Sequence, residues 1–130
     1  MANGFDGLSP YLTIGGGHAN AAVDFYVRAF GGEEITRRPG QDGKRLMHAQ
    51  VKINGHDLFL SDDFTEAGAP TPAGVTLHLE VEDADQIWNS AVAAGAEVTM
   101  PLADQFWGDR YGKLRDPFGH TWSIASPVRK

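Results

Sequence analysis

Cysteine is absent from the 130-residue chain. That removes disulfide frameworks, thiolate zinc sites and cysteine nucleophiles at once, and leaves His and carboxylates as the only strong metal donors. Basic residues are few, with 11 Lys and Arg against 17 Asp and Glu and a formal net charge of −6. Nucleic acid and anionic membrane both need a positive field, so neither is an expected partner. No apolar run approaches membrane-spanning length. The opening Met-Ala-Asn-Gly-Phe-Asp-Gly has neither the basic start nor the apolar core of a secretory signal, so a cytoplasmic location is expected. Several catalytic signatures are also missing. Gly15-Gly16-Gly17 is followed by neither Gly-Lys-Ser/Thr nor a GxGxxG pattern and reads as a turn. There is no helical HExxH, and Ser9, Ser61, Ser90, Ser123 and Ser126 lie in no GxSxG elbow.

What is present describes a single globular domain, residues 1–130, with 42% hydrophobic and 22% charged residues and 16 glycines to make turns. Gly108 to Ser126 reads as two strands around Asp116-Pro117-Phe118-Gly119, which has the Asp, Pro and Gly placement of a type I turn. Asn54-Gly55-His56 repeats the Gly-His step at Gly119-His120. Upstream, Ala29-Phe30-Gly31-Gly32-Glu33 echoes Ala93-Ala94-Gly95-Ala96-Glu97, and the interval from Gly31 to Gly55 equals that from Gly95 to Gly119. The coincidence predicts two tandem modules, about 8–62 and 74–126, joined by a linker of about 63–73 that is rich in Gly, Pro and Ala.

Each module reads as strand, helix, three strands. In the first, a strand is expected over Leu8–Ile14, a helix from about His18 to Phe30, and strands over Glu33–Arg38, Lys44–Ile53 and up to Ser61. Met47, Ala49, Val51 and Ile53 are expected to face the core, with His48 and Gln50 on the other side. In the second, Val75, Leu77, Leu79 and Val81 alternate inward, and Asp83 with Gln86 caps a helix that Gly95 ends. Ala96–Met100 is a strand, and Pro101–Trp107 is expected to be an irregular bridge.

VDFYVRAFGGEE, VTLHLEVEDAD and above all PLADQFWGDRYGKLRDPFGHTW resemble the PhnB-like branch of the glyoxalase, bleomycin resistance and extradiol dioxygenase (vicinal oxygen chelate) superfamily. The resemblance implies an α+β fold of two tandem βαβββ modules, whose curved, cavity-enclosing mixed sheet carries helices on its outer face, usually completed in a homodimer. Metal-using members are similar in drawing a His or Glu from the first strand of each module and a Glu from the last. Here those positions fall near Ser9–Tyr11 and on Phe59, Thr76 and Ser123. Such side chains make poor divalent-cation ligands, and a catalytic metal needs about three protein ligands. No metal and no cofactor is therefore expected.

Strand parity places Tyr11, His48, Gln50, Phe59, Thr76, His78 and Ser123 on the cavity side, and the loop around Trp107, Arg110 and Tyr111 reads as its rim. Phe106 and Trp107 are open to either role, pocket or packing. Aromatic surface with a few hydrogen-bonding groups is the chemistry of a small-molecule pocket. The expected function is a metal-free small-molecule-binding protein that sequesters its ligand. The alternatives are a lyase, isomerase or dioxygenase using relocated His48, His78 and Glu80, or an interaction protein with a vestigial cavity.

Overall fold

A computed structural model describes residues 7–128. Strand β1 (Tyr11–Ile14) leads through a 3-10 turn at Gly15–Gly17 into helix α1 (Ala19–Phe30). Strands β2 (Glu33–Pro39), β3 (Leu46–Ile53) and β4 (His56–Asp62) complete the first module. The second has the same order, with β5 (Thr76–Glu80), α2 (Ala84–Ala94), β6 (Glu97–Asp104), β7 (Asp109–Arg115) and β8 (Thr121–Pro127). Each module forms its own four-stranded mixed sheet, ordered β1-β4-β3-β2 and β5-β8-β7-β6. The first strand of each runs parallel to the last, and the other pairs are antiparallel. The architecture is α+β, and the two sheets do not close into a barrel within the chain.

The repeated glycines explain the repeated path. Gly31 and Gly95 end the helices in left-handed conformation, with φ of 67° and 118°. Gly55 and Gly119 turn the last strand at 84° and 93°. A Cβ is strained at such angles, so the four positions fix where each module turns. The end of the last strand also secures each helix start. Asp62 Oδ1 accepts from the Ala19 amide at 2.9 Å, and Ser126 Oγ accepts from the Ala84 amide at 3.3 Å. Asp83 caps α2 as its sequence predicts, accepting from the Gln86 amide.

The modules share one core. Helix α1 packs on β3 and against α2, and its aromatic face reaches the second module, with Phe30 lying 4.4 Å from Trp122 between ring centroids. Phe25 and Tyr26 both meet Phe118. At the centre of this contact the Tyr26 hydroxyl donates to the buried Asp116 carboxylate at 2.5 Å.

Several sequence expectations need correction. Strand β1 begins at Tyr11 rather than Leu8, and Pro10, which lacks an amide hydrogen, stands just outside it. Arg38 pairs with His48 but Pro39 pairs with Leu46, so Met47 is the unpaired residue of a bulge. The bulge reverses parity, leaving Leu46 buried and Met47 58% exposed. Val75 lies before the first paired residue of β5 and is exposed instead of inward-facing. Pro101–Asp104 belong to β6, not to an irregular bridge. Because β6 is an edge strand, Pro101 can be held there without breaking an interior ladder.

Candidate functional site

The face of each sheet opposite the helices carries an aromatic and polar cluster. On the first sheet, backbone register sets Phe59 opposite both Tyr11 and Gln50. The Phe59 ring is stacked with Tyr11 at 5.8 Å and with His48 at 5.6 Å between centroids. The Tyr11 hydroxyl and His48 Nδ1 are joined by a 3.0 Å hydrogen bond, which holds the three rings as a unit. Alongside, Gln50 Nε2 donates to Asp57 Oδ1 at 2.9 Å and Lys52 Nζ to the same oxygen at 3.1 Å. These two bonds, Gln50's first, hold the Asp57 carboxyl below the ordinary range. Asp57 was not among the sequence candidates, although it lies two residues before Phe59 on the same face and parity alone would have found it.

On the second sheet, Ser123 lies opposite His78 and its Oγ forms a 2.6 Å hydrogen bond with His78 Nδ1. Ser123 is itself buried, so it orients the imidazole from beneath. Nε2 is thereby the nitrogen left to meet a ligand, with Glu80 Oε1 4.0 Å away. Tyr111 lies 6.0 Å from His78, and Trp107 packs edge-on to Tyr111 at 5.7 Å. The Trp107 indole N–H donates to Asp109. Thr76 stands opposite Thr121 at the start of the strand. A cavity of about 420 Å³ runs beside this cluster, lined by Thr76, His78, Glu80, Asp57, Leu58 and Trp122 among others.

The structure does not bring Arg110 to this face. It precedes Tyr111 on β7, and neighbouring strand residues project to opposite sides. Arg110 instead donates to Asp85 at 2.8 and 3.0 Å and to Asp104 at 3.1 Å, and these carboxylates raise its pKa further. Nor are His48 and His78 brought together, since each sits on a different sheet. Among the described residues no group of three His, Asp or Glu is placed to hold a metal ion.

Residues 9–124 match the family model of the Glyoxalase/Bleomycin resistance protein/Dioxygenase superfamily. The chain belongs to this superfamily. The uncharacterised protein Mb0911c of Mycobacterium bovis is 47% identical over 131 aligned positions, covering 95% of this chain and 84% of its relative. In fold, the PhnB protein of Bacillus cereus superposes with a TM-score of 0.76 at 18% identity, covering 93% of this chain and 99% of that one. TnmS3, an antibiotic binding protein from Streptomyces sp. CB03234, superposes at 0.63 with 24% identity, over 93% and 96% of the two chains.

Glyoxalase and dioxygenase members imply a divalent cation, and the donor set here does not fit one. Phe59 offers no lone pair, Ser123 is engaged by His78, and Thr76 supplies only a neutral hydroxyl. Phe59 belongs instead to a ring stack on one sheet, and Ser123 orients the neighbouring His78 imidazole on the other.

Proposed function

We propose that this superfamily member binds a planar organic molecule without a metal ion and sequesters it, acting as a homodimer. The observation that carries this reading is Phe59, whose ring stacks with those of Tyr11 and His48 at a position where metal-using relatives are expected to place a ligand. A stacked aromatic platform offers flat apolar area, while His78 Nε2 and the Gln50–Asp57 pair supply direction. Each open sheet is only half of an enclosure. A second copy placing its His78 sheet over the Phe59 sheet of the first would complete two equivalent cavities by twofold symmetry. The neighbour in fold TnmS3 is an antibiotic binding protein, which supports an antibiotic as the class of ligand.

The test is a ligand screen with purified protein, read by Trp fluorescence and thermal melting, before and after chelation. Planar antibiotics are expected to raise the melting temperature equally in both conditions, and Phe59→Ala is expected to weaken binding by at least about tenfold, from loss of stacking area. Stoichiometric divalent metal in freshly isolated protein, with binding lost on chelation, would overturn the proposal.

A further inference from the structure

A second cavity, of about 350 Å³, lies elsewhere on the seam between the modules. Its walls are the outer edges of β1 and β5, which are edge strands of their own sheets and do not pair with each other. The linker closes it from above. Pro72 comes so near the Gly119 turn that a Cβ there would touch it at 3.5 Å, and Ala69 approaches Gly15 equally closely. The lining is mostly apolar, from Pro10, Pro70, Pro72, Val75 and Leu77, with Tyr11, Thr13, His120 and Thr121 as its polar members.

The His120 ring is held in a defined way. Its Nδ1 is buried, has no hydrogen-bond partner and lies 3.8 Å from Asp116 Oδ1. Asp116 is an ionised carboxylate with no side-chain exposure. In the neutral ring, a negative charge facing Nδ1 favours the tautomer that carries its proton there. The ring is 13% exposed and lines the cavity, and with Nδ1 buried, Nε2 is the ring nitrogen that retains exposure. That nitrogen is then a hydrogen-bond acceptor in a mostly apolar slot. An acceptor selects a hydroxyl, whereas a ligand carboxylate would meet a lone pair backed by the Asp116 charge.

We propose that this seam cavity is a separate small-molecule site, built for a compact aromatic alcohol of the phenol or naphthol class whose hydroxyl donates to His120 Nε2. It goes beyond the open-face reading, since it needs neither Phe59 nor His78 nor a second copy, and shares with that reading only Tyr11, which borders both. The probes are 2-naphthol and its methyl ether, which has the same ring and no donor, titrated by ligand-observed NMR. Wild-type protein is expected to bind 2-naphthol saturably and to prefer it about tenfold over the ether, the worth of one hydrogen bond in an apolar site. His120→Phe should abolish the preference. Ala73→Trp, at an exposed linker position that lines the cavity, should weaken both probes by at least about tenfold without a change in fold. Equal affinity for the two probes, absence of saturable binding, or 2-naphthol binding unaffected by Ala73→Trp would each overturn the proposal. If His120→Phe fails to fold, the Ala73→Trp and probe-preference arms decide it alone.

Discussion

At Asp116 a carboxylate without side-chain exposure accepts from the Tyr26 hydroxyl, the Trp122 indole N–H at 2.9 Å, and the amides of Phe118 and His120 at 2.9 and 3.0 Å. Burial alone would raise its pKa, but the His120 side chain, Tyr26 and Trp122 together outweigh it and hold the group below the ordinary carboxylate value. A depressed folded-state pKa means that the stabilisation is fully present above the unfolded value of about 3.9 and is lost as pH falls through the folded value. Acid unfolding monitored by circular dichroism should therefore steepen below about pH 4, and Asp116→Asn should flatten that limb. The same substitution should cost roughly 2–3 kcal/mol at neutral pH, because it weakens a charge-assisted acceptor beneath four donors. The Asp-Pro-Phe-Gly turn was legible in the sequence. The role of its Asp as the acceptor for a helix tyrosine 90 positions away was not, since nothing local announces a contact between modules.

Among the elements, those with an uninterrupted period were readable and those with a bulge were not. Both helices, their glycine stops and the Asp83 cap follow from local chemistry. Met47 defeated the parity argument because one extra residue reverses every side chain before it, and the bulge is set by pairing with β2 rather than by β3 itself. Strand β6 was cut short at Pro101 for a related reason, since a proline's tolerance depends on whether its strand is at an edge. The candidate site shows the same division. Alternation placed Tyr11, His48 and Phe59 on one face, but it could not show their stacking or that Arg110 is spent on Asp85 and Asp104. Helix α2 makes a further contact that sequence pattern conceals. A Cβ at Gly112 would lie 2.7 Å from the Trp88 ring and 2.9 Å from the Leu102 Cα, so helix and strand meet only because that position is bare. Gly112→Ala should destabilise the protein by about 1–3 kcal/mol in a denaturant titration, through forced displacement of Trp88 or of β6.

For the whole molecule, the helices bury one face of each sheet in a common core and leave the other face to solvent. Phe106 is 96% exposed and Trp107 49% exposed, and both project from the turn between β6 and β7 beside the His78 cluster. In the proposed dimer these two rings, whose centroids lie 5.1 Å apart, would form part of the contact. Sedimentation equilibrium should give twice the 14.0 kDa chain mass at micromolar concentration. Phe106→Glu should shift the equilibrium toward the single chain while leaving its circular dichroism unchanged. A wild-type protein that sediments at 14.0 kDa would remove the partner from the proposed cavity.

The bond from Tyr26 to Asp116, together with the packing of Phe30 on Trp122, gives the duplicated halves a dependence that their likeness hides. Either half alone would leave aromatic surface uncovered, the α1 face of the first and the Phe118 and Trp122 rings of the second. With these side chains neither half is expected to fold as a solitary unit, and replacing one half by a foreign copy would require that both partners of that bond travel with it.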